Sequence, residues 1–164
     1  MEAKIETPVG VQQLSDAELI RLRAALHVEM EKRKLAFSVG DIGEEAAIDH
    51  FKRTPNLPNL QRAPPGTKNV DALSRRGDRF SIKTVWRGSE TGTIYPDPAD
   101  QDRVLFEYLL IVQLSNQLCL QRIVELSWKE FCVVRCWDKR MNAWYVPTSR
   151  RALATGTAVY DAPV

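Results

Sequence analysis

Residues 69–85 read NVDALSRRGDRFSIKTV, and this stretch decides the fold because two strand-like runs flank a short polar turn. Side chains alternate with a period of two along a strand, so Ser81 and Lys83 share one face of the second run. A two-residue turn would place Asp71 opposite a residue of the other face. A three-residue loop that ends at Gly77, in the left-handed conformation that glycine adopts readily, instead pairs Asp71 with Ser81. The stretch therefore predicts a β-hairpin with two strands and one polar face.

The polar face of this hairpin carries a carboxylate, Asp71, and an ammonium group, Lys83. Together these groups can hold a divalent cation and an activated water beside a phosphate. The alternative is an exposed hairpin whose outer residues are simply polar.

A helix is predicted upstream of the hairpin, because apolar residues recur at positions 39, 42, 46, 47 and 51. Glu44 and Glu45 occupy adjacent angular positions on this helix, so only one of them can face the edge of its apolar stripe. Glu44 is therefore a second candidate carboxylate. Acidic residues near the start of a helix also complement its macrodipole, and that explanation covers both residues equally well.

Taken together, these residues resemble the PD-(D/E)XK nuclease superfamily, which has the restriction-endonuclease-like fold. The family places a helix carrying Gly-Glu before a hairpin that bears Asp and then a Glu/Asp-x-Lys triplet. In this chain Gly43-Glu44, Asp71 and Ser81-Ile82-Lys83 occupy those places. The match is close over residues 38–86 and loose to about residue 136. The chain also looks like a family of small uncharacterised prokaryotic proteins, through residues 57–71, and that likeness names no substrate.

The resemblance implies an α/β fold with a mixed central β-sheet flanked by helices. It also implies an endonuclease, of the restriction or defence type, that uses Mg²⁺, or Mn²⁺ in its place, to hydrolyse phosphodiester bonds of DNA. Glu44 and Asp71 would be the metal ligands, and Lys83 would be the catalytic cation. Ser81 stands where the family has an acidic residue or Gln, and it would be a weak ligand or a hydroxyl that positions water. A hydroxyl is a poorer ligand for a hard cation than a carboxylate, so Ser81 puts catalytic activity in question.

Two alternatives to a DNA nuclease remain open at this point. The first is a catalytically inactive DNA-binding or assembly module of the same fold, and Ser81 is the feature that favours it. The second is an RNA-directed nuclease, which the sequence does not separate from a DNA nuclease because no part of it resembles an RNA-binding module.

Basic residues cluster around the hairpin although the whole chain is nearly neutral, with 23 basic and 21 acidic side chains. Residues 50–87 hold nine basic and two acidic side chains, whereas residues 1–49 hold six and ten. Such a cluster favours a phosphate backbone, and a solvated loop surface is the alternative. A later segment, residues 138–145, mixes basic, amide and aromatic side chains that could contact phosphates and bases or close a core. The candidate nucleic-acid contacts are Arg62, Lys68, Arg75, Arg76, Arg79, Arg140, Asn142 and Trp144.

The length and the composition predict one domain over residues 1–164, with an N-terminal helix at about 15–34 and a core at about 38–160. Capping boxes begin the N-terminal helix at Ser15 and a later helix, ending near Trp137, at Ser127. The N-terminal helix has a leucine stripe that favours core packing, with a homodimer contact as the alternative. We expect strands over residues 104–114 and 118–126, the first of them buried on both faces, and a surface loop over 87–103.

Cysteine usage predicts a reducing compartment, because the three cysteines are odd in number and lack zinc-site spacing. Cys132 and Cys136 are expected to be core thiols one helical turn apart. The start of the sequence lacks the apolar segment of a signal peptide, and no apolar run approaches the roughly 20 residues of a membrane span. We therefore expect a cytoplasmic protein.

Overall fold

The computed structural model describes residues 10–163, and in that range the chain forms eight strands and four α-helices after a short 3₁₀ turn, Val11–Gln13. The strands are β1 (Leu60–Arg62), β2 (Ala72–Ser74), β3 (Arg79–Trp86), β4 (Tyr108–Leu114), β5 (Leu120–Ser127), β6 (Cys136–Asp138), β7 (Ala143–Tyr145) and β8 (Thr157–Asp161). The helices are α1 (Asp16–Lys32), α2 (Val39–Arg53), α3 (Trp128–Val134) and α4 (Arg150–Leu153). The predicted α/β class is confirmed. No helix of the described range is both long and apolar enough to cross a membrane.

Six strands form one sheet in the order β1-β2-β3-β4-β5-β8, and β6 pairs with β7 separately. Only β3 and β4 are parallel within the described sheet, and the other neighbours are antiparallel. The sheet is therefore mixed, as predicted. The parallel pair requires a long crossover, which the segment between β3 and β4 supplies.

Two hydrophobic cores lie on opposite faces of this sheet. The α2-side core packs Ala47, Ile48 and Phe51 of α2 against even-numbered residues of β3 and β4. The α3-side core packs Phe131 of α3 against odd-numbered residues such as Val85. Strand β4 contributes to both cores, so the prediction of a strand buried on both faces is confirmed.

Both predicted capping boxes are confirmed. Ser15 and Glu18 exchange side-chain and backbone hydrogen bonds at the start of α1, and Ser127 and Glu130 do so at the start of α3. The predicted end of α3 near Trp137 is wrong. The helix ends at Val134, because Arg135 is extended and the next residues pair with β7 as β6.

This earlier end of α3 also corrects the expectation for the cysteines. Cys132 lies on α3 and Cys136 lies on β6, so the two do not share a helical face. Both are partly exposed free thiols, and Cys132 packs against the α3-side core as expected.

The leucine stripe of α1 is not core. Leu19 is 40% exposed and Leu26 is 54% exposed, and α1 contributes no buried residue to the described structure. The stripe satisfies the helical period, but no described element covers it.

The segment over residues 87–103 is only partly the surface loop that we expected. Thr91 and Ile94 within it are buried, and their N–H groups donate to the carbonyls of Val146 and Trp144 at 2.9 and 2.7 Å. The first half of this segment is therefore attached to β7.

Candidate functional site

The β2–β3 hairpin has the register that the three-residue loop predicts. Ala72 pairs with Phe80 and Leu73 with Arg79, so the same register places Asp71 opposite Ser81. Gly77 has a φ of +87°, in the left-handed region that glycine adopts without strain. The N–H of Gly77 donates to the carbonyl of Ser74 at 3.0 Å and closes the turn.

Asp71 lies one residue before β2, and hydrogen bonds hold it there. Its N–H donates to the carbonyl of Phe80 at 2.8 Å, and its own carbonyl accepts from Ala63 at 2.8 Å. Its Oδ2 accepts from the N–H of Ile82 at 2.6 Å and from the hydroxyl of Ser81 at 3.4 Å. The β2–β3 pairing ends at Ala72 and Phe80, and the Asp71 carboxylate accepts the hydrogen bond of the next free N–H group of β3, that of Ile82.

Lys83 lies two residues beyond Ser81 on the same face of β3. The next residue on that face, Val85, belongs to the α3-side core, so both polar residues are on the α3 side of the sheet. Lys83 is partly exposed, and its ammonium group makes no ion pair or hydrogen bond within residues 10–163. Its positive charge is thus available to a ligand.

Glu44 is positioned by a close contact between α2 and β3. A Cβ atom on Gly43 would lie 2.0 Å from the Oγ1 of Thr84, so only glycine permits this approach. The hydroxyl of Thr84 also donates to the carbonyl of Gly40 at 3.3 Å. The residue after Gly43 is therefore held beside the strand that carries Lys83.

The Glu44 side chain is 20% exposed, and its Oε1 lies 3.3 Å from Nη1 of Arg62. Burial raises the pKa of Glu44, Arg62 opposes this shift, and the charges of Asp71 and Asp41 raise the pKa further. The negative charge of Asp71 thus contributes to the raised pKa of Glu44 although the two residues belong to different elements. Glu45 is exposed and Glu44 is partly buried, and the helix α2 that carries both packs on the side of the sheet opposite to Ser81 and Lys83.

The donor set fits Mg²⁺ only with ligands from outside the protein. Among the described residues, no three or more His, Cys, Asp or Glu side chains come close enough to hold a metal ion. Mg²⁺ in phosphoryl-transfer sites commonly uses one or two carboxylates, with waters and substrate phosphates completing its shell. Glu44 and Asp71 are the two carboxylates that would serve as such ligands. Ser81 is 1% exposed and directs its hydroxyl toward Asp71.

Two of the predicted nucleic-acid contacts are paired with acidic residues. Arg62 pairs with Glu44, and the guanidinium of Arg79 bonds the carboxylate of Glu107, with the shortest separation 2.7 Å. The hydrogen bonds of this second pair raise the pKa of Arg79 and lower the pKa of Glu107. Sequence reasoning missed Glu107 as a partner, because it lies 28 residues from Arg79 along the chain.

Arg75 and Arg76 lie in the hairpin turn, four and five residues beyond Asp71. They line a cavity of about 650 Å³ together with Asp78, Tyr108 and Glu125. Burial, followed by the charge of Glu130, raises the pKa of Glu125. This cavity is on the α2 side of the sheet, since Tyr108 packs against that core. The cavity and the side chains of Ser81 and Lys83 therefore lie on opposite sides of the sheet.

The other predicted contacts lie around the β6–β7 hairpin. Lys68 and Asn142 line a second cavity, and Arg140 is exposed in the turn between the two strands. Trp144 is packed inward, with the guanidinium of Arg135 4.0 Å above its ring, and its Nε1 is buried without a hydrogen-bond partner in the described chain. Sequence reasoning missed Trp137, which also lines this cavity, because the segment was assigned to a helix.

Comparison with protein-family models gives no match for this chain, and comparison with curated proteins gives no significant match.

Proposed function

We propose that this protein is a metal-dependent nuclease that hydrolyses phosphodiester bonds of DNA. One observation carries the proposal. Asp71 and Lys83 lie on one hairpin, Glu44 lies on α2 beside β3, and the ammonium group of Lys83 has no acidic partner among the described residues. Carboxylate oxygens are ligands that Mg²⁺ accepts, and a free ammonium group would attract a phosphate.

The residues have distinct roles in this proposal. Glu44 and Asp71 would hold Mg²⁺, which would supply Lewis acidity and activate water for attack. Lys83 orients the attacking water and stabilises the charge that develops on the phosphate. The hydroxyl of Ser81 and the N–H of Ile82 hold the Asp71 carboxylate in one orientation. Mn²⁺ would satisfy the same oxygen ligands.

A second candidate function is a DNA-binding module without catalysis. The observation that favours it is Ser81, a neutral residue whose hydroxyl is directed toward Asp71. This candidate keeps the basic surface and the fold, and it differs from the first only in chemistry.

A nicking assay separates the two candidates. We expect purified protein to nick supercoiled plasmid DNA with Mg²⁺ or Mn²⁺ and to leave it intact in EDTA. Lys83→Ala should lose roughly 10²–10³ in rate, as removal of one electrostatic catalytic group typically does. Its DNA affinity and thermal stability should stay near those of the parent. Lys52→Ala removes an exposed lysine of α2 and should cut as the parent does.

Three other results would revise the proposal. Cleavage by Lys83→Ala at the parent rate would refute the assignment of the site. Binding of DNA without cleavage in either metal would favour the noncatalytic module. Faster cleavage of an RNA of matched sequence would make RNA the substrate.

A further inference from the structure

The cavity lined by Lys68 and Asn142 lies outside the carboxylate site. It has a volume of about 490 Å³, and its walls also include Tyr95, Gln101 and Trp137 together with two prolines. These residues come from three separated parts of the sequence, and no acidic side chain lines the cavity. We name it the Tyr95–Trp137 cavity.

The side chains of the Tyr95–Trp137 cavity match the parts of a nucleotide. Aromatic rings such as Tyr95 and Trp137 stack on any base, and amides such as Gln101 and Asn142 bond base edges. The ammonium group of Lys68 suits the attached phosphate. Tyr95 is 44% exposed although it is a large aromatic residue, so its ring is accessible to a ligand.

The aromatic wall of this cavity is supported from behind. Trp137 packs edge-on against Trp144, with ring centroids 4.7 Å apart, and Arg135 lies over the ring of Trp144. The residue before Tyr95, Ile94, exchanges backbone hydrogen bonds with Trp144 at 2.7 and 2.9 Å. The ring of Trp137 is therefore packed against Trp144, and the backbone next to Tyr95 is hydrogen-bonded to it.

The cavity is on the same side of the sheet as Ser81 and Lys83. Ile94 and Trp144 pack in the α3-side core, toward which Ser81 and Lys83 are directed. Lys68 precedes Asp71 by only three residues. The Tyr95–Trp137 cavity and the polar face of the hairpin therefore lie on one side of the sheet.

We propose that the Tyr95–Trp137 cavity receives one unstacked nucleotide of DNA, with the base against the two aromatic rings and the phosphate at Lys68. The inference rests on the proposed DNA function for its ligand, and it adds a preference for unpaired nucleotides. A fully paired duplex offers no free base face, so it would not fill the cavity.

Binding in EDTA tests the cavity without any cleavage. The probes are a single-stranded oligonucleotide and a duplex with one unpaired 2-aminopurine, compared with the same duplex fully paired. We expect the parent to prefer both unpaired probes and to quench the 2-aminopurine. Tyr95→Ala should weaken their binding roughly tenfold, the usual size of one lost base–aromatic stack, and should leave the paired duplex unaffected. Tyr95→Phe should restore binding.

Met141→Ala is the matched control, because Met141 is exposed in the turn between β6 and β7 and does not line the cavity. It should bind every probe as the parent does. Equal binding of paired and unpaired probes by the parent, or an unchanged affinity in Tyr95→Ala, would overturn the cavity assignment even if the protein cuts plasmid. Loss of the preference in Tyr95→Ala in a protein that cuts nothing would support the cavity and refute the nuclease.

Discussion

At the scale of single residues, the charge of the site depends on how the neighbours of Glu44 shift its pKa. Burial and the charge of Asp71 raise the pKa of Glu44, and Arg62 offsets only part of that effect. A carboxyl whose pKa is raised on folding binds its proton more tightly in the folded state. Its contribution to stability is therefore present below the ordinary value of 4.5 and is lost as the pH rises through the folded pKa.

Glu44→Gln tests whether ionisation of Glu44 destabilises the folded protein. In EDTA, we compare the thermal midpoints of Glu44→Gln and the parent. We expect the midpoint of the variant minus that of the parent to increase from pH 4 to pH 7, because the parent ionises its carboxyl at position 44 and the variant has no carboxyl there. Mg²⁺ should stabilise the parent at pH 7 and should have a smaller effect on Glu44→Gln. Glu45→Gln, at the exposed neighbouring position, is the control and should match the parent throughout. A midpoint difference that does not change with pH would contradict the electrostatic account.

Ser81→Glu tests the position that departs from the family pattern. The new carboxylate would be almost fully buried and would lie opposite Asp71, so without a cation the two charges should repel. We expect a lower thermal midpoint than that of the parent in EDTA and a recovery in Mg²⁺, with tighter metal binding by calorimetry. Ser81→Ala removes the hydroxyl without adding charge and should show no such recovery. If Mg²⁺ binds neither the parent nor Ser81→Glu, this is not a metal site.

At the scale of elements, the contact of α2 with β3 places Glu44 beside the hairpin. Gly43 permits that contact because any Cβ atom there would overlap Thr84. Gly40, one turn earlier, is different, because a Cβ atom there would meet only the Oγ of Ser38 at 3.8 Å. The same substitution at these two positions therefore distinguishes packing from helix propensity.

We expect Gly43→Ala to destabilise the fold by about 1–3 kcal/mol, the usual cost of overpacking, and to reduce Mg²⁺ affinity by displacing Glu44. Gly40→Ala should be neutral or stabilising by up to about 1 kcal/mol, since alanine is the better helix former. Denaturant unfolding and calorimetry measure both effects. Equal stability of the two variants would argue against close packing at Gly43.

The elements that the sequence predicts correctly are those that local chemistry determines. Ser15 and Ser127 bond residues three positions away, and Gly77 closes a turn of its own hairpin. These interactions occur whatever the rest of the chain does. The Asp71–Ser81 register follows from that turn alone, so half of the candidate site could be predicted.

Long-range pairing decides the elements that the sequence does not predict. Helix α3 ends early because β6 finds a partner in β7, and Thr91 and Ile94 are buried because Val146 and Trp144 offer hydrogen-bond partners. The stripe of α1 has a helical period, yet a period does not reveal whether anything covers it. The same limit applies to the site, because the partners of Arg62 and Arg79 come from α2 and from the segment before β4.

At the scale of the whole molecule, the basic surface divides into paired and unpaired charges. Arg62 and Arg79 have carboxylate partners, whereas Lys68, Arg75 and Arg76 form no ion pair within the described range. An unpaired cation can neutralise a phosphate without first breaking an ion pair. The unpaired group should therefore account for most of the salt dependence of DNA binding.

Neutralising the hairpin turn tests this division. We expect Arg75→Gln with Arg76→Gln to lower the slope of log affinity against log salt by roughly 1.8, because each phosphate contact contributes about 0.9 on duplex DNA. Arg79→Gln should change that slope little and should instead reduce stability, since it leaves Glu107 without its partner. Binding isotherms at several salt concentrations and a thermal melt measure both quantities.

Arg21→Gln with Arg23→Gln is the control for net charge, because it removes two exposed arginines from α1. If position decides the effect, this control should keep the parent slope although its net charge falls by the same amount. Equal slopes in the α1 and hairpin-turn variants would mean that DNA responds to the overall charge of the protein. The hairpin turn would then be ordinary surface, and the path of DNA would have to be sought nearer Lys68 and the Tyr95–Trp137 cavity.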